Sequence, residues 1–213
     1  ITSLHKDETL DEEGFERLIK YQDKNGVNSI FVCGSFGEGP TVSNDVRKKA
    51  LSIALKNFKD KPILIGVFES GTKKAIQTID YLSDTISNNK NVYLTVAPPI
   101  YFAPAHNENE ILNFYKEISS IGIPTIVYNN TTYTGLLFSV DQILRLSEMD
   151  NIMGVKYTKE PIENLKTIIK NFKKEKFRIG YAKNKGLVDA FEMGVDILVN
   201  VTPGIIPKTF SDL

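Results

Sequence analysis

Seven short β-branched or aromatic runs recur along the chain: "SIFVC" (29–33), "PILIGV" (62–67), "VYLTVA" (92–97), "PTIVYN" (124–129), "IMGVKY" (152–157), "FRIGYA" (177–182) and "DILVNV" (196–201). Each is a continuous apolar stretch rather than an in/out alternation, the pattern of strands covered on both faces. The segments between them carry helical spacing. In "DEEGFERLIKYQDKNG", Phe15, Leu18, Ile19 and Gln22 fall at i, i+3, i+4 and i+7, and Gly26 supplies a C-terminal stop. In "SNDVRKKALSIALKNF", Ser43 is an N-cap candidate and Val46, Ala50, Ile53 and Ala54 share a face. Residues 72–88, 107–121, 139–148, 160–173 and 184–193 read as helices in the same way.

Strict alternation of strand and helix predicts an α/β fold with a parallel sheet and right-handed crossovers. An open doubly wound sheet and a closed (β/α)8 TIM barrel both satisfy it. No G-x-G-x-x-G follows any strand, which removes the usual dinucleotide signature. The opening "ITSL" reads as the tail of a further strand, one helix before "SIFVC". Both features favour the barrel. A barrel usually runs to about 250 residues, so the expectation is one domain over 1–213, truncated in its first strand.

Composition narrows the class. Basic and acidic residues balance at 26 each, giving no net field for nucleic acid or an anionic membrane. Apolar runs are too short to span a bilayer, and "ITSLHKDETL" lacks the pattern of a secretory signal. A single cysteine, Cys33, excludes an internal disulfide and suits a reducing, cytoplasmic setting. With two histidines besides, no typical structural zinc site is expected.

In a barrel, chemistry collects where strands end and the following loops begin. Those positions hold "CGSFGEGP", "PPIYF", "YNNTTYTG" and "KYT". Twenty-two of the 26 basic residues are lysines, and Lys156 stands out among them by following "IMGV" at a strand end. Partial desolvation there would lower its pKa and free the amine as a nucleophile. Tyr128 offers a phenol for proton transfer. "GSFGE" offers a hydroxyl and backbone N–H groups, a cradle for a carboxylate. Plainer roles fit the same residues: a lysine snorkelling to water, a tyrosine satisfied on backbone, an ordinary glycine turn. Spacing leaves these open. Glu38 reads as a brace for its own loop, Cys33 as a small buried hydrophobe, His106 as a surface residue near Tyr101, and "KNFKKEKF" as a solvated helix end.

Four motifs in order carry a resemblance. "GSFGEGPTVS" is similar to the G-[ST]-[TX]-G-E loop, "APPIYF" to the P-P-Y-Y segment, "YN" to the Y-N-x-P strand end, and "GVKYT" to the G-[IV]-K strand of the N-acetylneuraminate lyase/dihydrodipicolinate synthase family of Schiff-base class I aldolases. The resemblance covers essentially the whole chain, without the C-terminal helical segment such proteins carry. It implies that Lys156 condenses with pyruvate or another 2-keto acid, the imine serving as electron sink with no cofactor. It implies Tyr128 as general acid/base, Ser35 in a proton relay with it, and the N–H groups of Ser35 and Phe36, with Gly34 before them, holding the keto-acid carboxylate. Tyr101 matches a tyrosine that in many members reaches a neighbouring subunit, so a homodimer or homotetramer is implied. Val199 falls where a strand-end residue packs near the keto acid.

Departures from the family pattern bear on substrate. Dihydrodipicolinate synthases usually read x-P-x-R-T-G after Y-N, the arginine binding the carboxylate of aspartate semialdehyde. Here the loop is "NTTYTG", with Tyr133 at the arginine position and Thr131 at the proline. A neutral phenol does not replace a bidentate guanidinium. The Asp–Glu pair of N-acetylneuraminate lyases is replaced by Ala182 and Lys183, whereas Thr158 keeps a hydroxyl found in sugar-acid lyases. The resemblance therefore implies a lyase making or breaking a carbon–carbon bond beside a 2-keto acid, with a 2-keto-3-deoxy sugar acid or sialic acid-type substrate. The alternatives are 4-hydroxy-tetrahydrodipicolinate synthase and, given Phe36, Thr131 and Tyr133, a paralogue that binds ligand without turnover.

Overall fold

Local chemistry sets both ends of the first helix in the computed structural model, which describes residues 1–158, 162–172 and 177–212. Helix α1 spans Glu12–Lys24, and the Asp11 carboxylate accepts the Gly14 N–H at 2.8 Å. At its other end Gly26 adopts φ +84°, so its N–H reaches the Asp23 carbonyl and that of Val27 reaches Gln22. That is a Schellman ending, and the conformation favours glycine.

The remaining helices are α2 Asn44–Asn57, α3 Thr72–Ile86, α4 Glu108–Ser120, α5 Thr131–Thr134, α6 Val140–Ser147, α7 Ile162–Asn171, α8 Leu187–Glu192 and α9 Pro207–Ser211, and all but α5 and α9 are expected from the sequence pattern. Ser43 caps α2 as its sequence suggests. Asn107 with Glu110, and Ser139 with Gln142, close reciprocal capping boxes on α4 and α6. The short α5 was not expected from spacing. It is a single turn capped by the Asn130 side chain. The outer parts of the helix expected over 160–173, and the "KKEK" of "KNFKKEKF", lie outside the described residues.

All seven expected strands form: β1 Ile30–Val32, β2 Ile63–Val67, β3 Val92–Val96, β4 Thr125–Asn129, β5 Ile152–Tyr157, β6 Arg178–Tyr181 and β7 Ile197–Leu198. They hydrogen-bond in chain order, and β1/β2, β4/β5, β5/β6 and β6/β7 are parallel. Among the described residues the sheet has seven strands, and "ITSL" is not one of them. Residues 3–11 fold back on themselves instead: His5 N–H donates to Thr9 and Asp11 N–H to Ser3, with one antiparallel bridge between Leu4 and Leu10. Those backbone groups, paired locally, are not available to a ladder.

The chain packs as two compact units. The first comprises Ile1–Val67, Ile76–Leu94 and the segment from Val201. Its core includes Phe15, Leu51, Phe58, Ile63, Ile65 and Leu82, all buried. The second comprises Phe68–Ala75 and Thr95–Asn200. It is built on β4 to β7, and every residue of β4 is buried, as a strand covered on both faces requires. No described helix is long and apolar enough to cross a membrane.

Candidate active site

In the second unit, one irregularity decides which side chains meet. Strand β4 begins in register with β5 at Thr125 and Ile152, then shifts, so that Ile126 faces Gly154 and Met153 is an extra residue. Beyond this bulge Val127 pairs with Val155 and Tyr128 with Lys156. Had the first register continued, Tyr128 would face Val155 and the lysine would project from the opposite side, because side chains alternate along a strand. Gly154 is needed here, since a Cβ would lie 2.3 Å from the Arg178 carbonyl oxygen.

Lys156 is 6% exposed, and its Nζ lies 4.6 Å from the centre of the Tyr128 ring. Burial alone holds its pKa at about 8, below the ordinary 10.5, because a charged amine loses hydration there. The amine donates to Thr158 Oγ1 at 3.3 Å. Thr158 is held in turn by its own N–H, which continues the ladder onto the Asn129 carbonyl. On the other side of Lys156 the register partner is Gly180, which has no side chain. A Cβ at Gly180 would meet Val199 Cγ2 at 3.6 Å, so Val199 packs beside the position the glycine leaves open.

Tyr128 is fully buried. Its ring packs edge-on against Phe68 at 5.0 Å and against Tyr133 at 6.3 Å, and Phe68 and Tyr133 touch at 5.7 Å. Its oxygen accepts a hydrogen bond from Asn130 Nδ2 at 2.9 Å. Burial, with Tyr128 adding a smaller contribution, raises the Tyr133 phenol above its usual pKa, so Tyr133 is a neutral wall at neutral pH. Asn129 points to the opposite face of β4, where its side-chain oxygen accepts the Phe138 N–H.

The Gly34–Phe36 turn belongs to the first unit. Ser35–Gly37 form a single 3-10 turn, and the Gly34 carbonyl accepts the N–H groups of Gly37 and Gly39. Gly39 must be glycine, because a Cβ would lie 1.9 Å from the Cys33 carbonyl oxygen. Arg47, buried, donates to the Gly39 carbonyl at 2.5 Å. The Glu38 brace is the reverse of the expected one: its backbone carbonyl, not its carboxylate, accepts Thr41 and Val42 N–H and the Thr41 hydroxyl. A left-handed φ of 55° at Glu38 turns that carbonyl inward. Cys33 is buried, and burial raises its thiol pKa.

Lys156, Tyr128, Tyr133 and Thr158 are thus gathered on one stretch of the second unit, with Val199 two strands away. Tyr101 is not among their described contacts. It is 67% exposed, packs edge-on against Phe102, and its carbonyl meets His106 Nε2 at 3.2 Å. Three neighbours were missed from sequence. Gly180, inside "FRIGYA", could have been flagged as a glycine interrupting a strand. Asn130 and Phe68 carried no such signal.

A buried, partly neutral amine beside a buried phenol, at the ends of parallel strands, can add to a ketone and exchange protons with the adduct. Comparison with known proteins leads to the same chemistry. The dihydrodipicolinate synthetase family matches residues 1–213, and the chain belongs to that family. Its members are lyases of the class I aldolase type, and this chain is an enzyme of that class. The chain is similar to the 4-hydroxy-tetrahydrodipicolinate synthase of Chloroherpeton thalassium, 27% identical over 214 residues, covering 100% of this chain and 69% of the relative. Among solved structures it is similar to dihydrodipicolinate synthase from Acinetobacter baumannii in complex with pyruvate, with TM-score 0.90 and 25% identity over 100% of this chain and 71% of that one. CdNal from Clostridium difficile, solved with mannosamine, matches with TM-score 0.88 and 24% identity over the same shares.

Proposed function

We propose that this protein is a pyruvate-type class I aldolase in which Lys156 forms the imine. The observation that carries the reading is the burial of the Lys156 amine, with its pKa near 8, against Tyr128. The amine adds to the C2 carbonyl of the keto acid, and the resulting carbinolamine loses water to give the imine. Loss of a proton from C3 gives the enamine, whose carbon attacks an aldehyde; the reverse sequence cleaves the bond. Tyr128 protonates the departing hydroxyl and handles the aldehyde oxygen. The Gly34–Phe36 turn is the proposed holder of the keto-acid carboxylate, with Ser35 in the relay. The imine is the electron sink, so the reaction calls for no metal or cofactor.

The acceptor we propose is an aldehyde without a carboxylate at the Tyr133 position, such as a sugar-derived aldehyde, with Thr158 available to a hydroxyl. Tyr133 supports this, being a neutral phenol packed on Phe68. A second reading, 4-hydroxy-tetrahydrodipicolinate synthase, draws on the names of the curated relatives. Self-association through the exposed Tyr101 and Phe102, a closed (β/α)8 barrel and a cytoplasmic setting belong to the same proposal.

Incubation with pyruvate and borohydride followed by intact mass is the direct test. One reduced pyruvate on Lys156 is expected, and an unmodified protein would overturn the reading in favour of a binding paralogue. For the acceptor, a panel of aldehydes with pyruvate should show no preference for aspartate semialdehyde. A strong preference for it would establish the second reading.

A further inference from the structure

We infer that Asn130 positions Tyr128 for proton transfer: its amide donates to the phenolic oxygen, directs the hydroxyl proton away from itself, and keeps a donor on the phenolate once that proton has left. The inference rests on the proposed acid–base role of Tyr128.

The geometry assigns the amide's two ends without ambiguity. Asn130 Oδ1 accepts the Thr132 backbone N–H at 3.1 Å. A backbone N–H can only donate, so the oxygen must face it, and Nδ2 is left facing Tyr128 at 2.9 Å. The reversed amide would set two donors against each other. Asn130 therefore cannot take the phenol's proton; it can only give a hydrogen bond to the oxygen. The phenol must spend its own hydrogen elsewhere, which is the condition for an acid that delivers it to an adduct.

The arrangement is rigid. Asn130 continues the extended backbone of β4, φ −143° and ψ 96°, so it shares a face with Tyr128 two residues earlier. Its carbonyl accepts the N–H groups of Tyr133 and Thr134 and the Thr134 hydroxyl. The residue is 9% exposed, which leaves little water to compete for the amide. A hydrogen bond aimed at an oxygen that becomes an anion strengthens as charge develops. A residue needed only to cap the following turn would serve as well as Ser or Asp; only the amide adds the donor. Strand β5 shows the same i+2 spacing with the direction reversed, the Lys156 amine donating to Thr158 Oγ1. Among the described contacts of Tyr128, the titratable groups are Lys156 from β5 and Tyr133 from α5.

The test uses pyruvate alone, following exchange of its methyl protons in D2O by NMR across pH, so that the aldehyde need not be known. Asn130→Ser keeps an oxygen for the Thr132 N–H and removes the amide donor. We expect maximal exchange to fall about 10-fold, while the pyruvate concentration for half-maximal rate changes less than about twofold. The high-pH fall of the profile should move up by about one pH unit, and the rise set by Lys156 should stay in place. Asn130→Asp keeps both size and cap but sets a carboxylate against the phenolic oxygen, and it should move the high-pH fall further in the same direction. If Asn130→Ser does not fold, the profile of Asn130→Asp decides between the outcomes. Wild-type exchange in the folded variant, or a profile that is merely scaled without a shift of its high-pH side, would overturn the inference. Tyr128→Phe separates the two levels. If it exchanges like wild type, the acid–base reading falls and takes the inference with it; if it is impaired while the Asn130 variants are not, the inference alone falls.

Discussion

Tyr128 and Lys156 are register partners on adjacent parallel strands, and the lysine amine sits 4.6 Å from the centre of the phenol ring. They are 28 positions apart in the chain, yet the one-residue bulge at Met153 sets them on the same face. Burial of the amine and proximity to the phenol are consequences of that pairing, and the reactivity proposed for Lys156 depends on both.

Replacing the amine should abolish covalent chemistry and change the pH dependence of stability. Below pH 8 the amine is charged in the folded and unfolded chains, and the fold carries the penalty of burying it. Between pH 8 and 10.5 only the unfolded chain holds the proton, so stability rises with pH across that window, by roughly 3 kcal/mol in all. Lys156→Met should give no borohydride adduct. It should melt above wild type at pH 7 and lose that advantage by pH 10, as thermal melts at the two pH values would show. A pH-independent difference would mean an amine already in solvent.

Imine formation requires the neutral amine, so its rate should rise through pH 8, with about a tenth of the amine reactive at pH 7. Thr158→Val removes an acceptor that favours the charged form, and the added apolar group acts in the same direction. The rise should therefore move down by roughly half a pH unit. Trapping rates measured from pH 6 to 10 decide it, an upward movement being the contrary result.

Tyr128→Phe keeps the edge-on packing against Phe68 and removes only the hydroxyl. Turnover should fall roughly 10²–10⁴-fold, while trapped pyruvate at long incubation is retained. An unchanged rate would take Tyr128 out of the mechanism.

Gly154→Ala tests the bulge itself. The added carbon would press on the Arg178 carbonyl from 2.3 Å, and backbone cannot swing aside as a flexible side chain can. We expect a loss of about 3 kcal/mol together with slower trapping at Lys156. Denaturant unfolding beside the borohydride assay checks both. A stable protein with slow trapping would show that register, rather than stability, is what the glycine protects.

Much of the architecture was legible because its causes are local. Continuous apolar runs marked all seven strands, and Ser43 and Gly26 marked helix ends that the backbone then formed. "ITSL" misled because apolar character says nothing about partners: its backbone pairs within residues 3–11. The candidate site was half legible. Lys156 and Tyr128 could be picked out by position at strand ends, but Asn130 looked like any turn residue, and Phe68 like any apolar residue after a strand.

Residue order alone determined the seven strands, the longer helices and which side chains stand at strand ends, since these follow from periodicity, caps and backbone preference over a few residues. Tertiary structure decided the register between β4 and β5, the burial that lowers the Lys156 pKa, the glycine left open beside it and the amide aimed at Tyr128. Those depend on strands distant in the chain meeting to within one residue, and on water being excluded where they meet. Neither is a property of any short stretch of sequence.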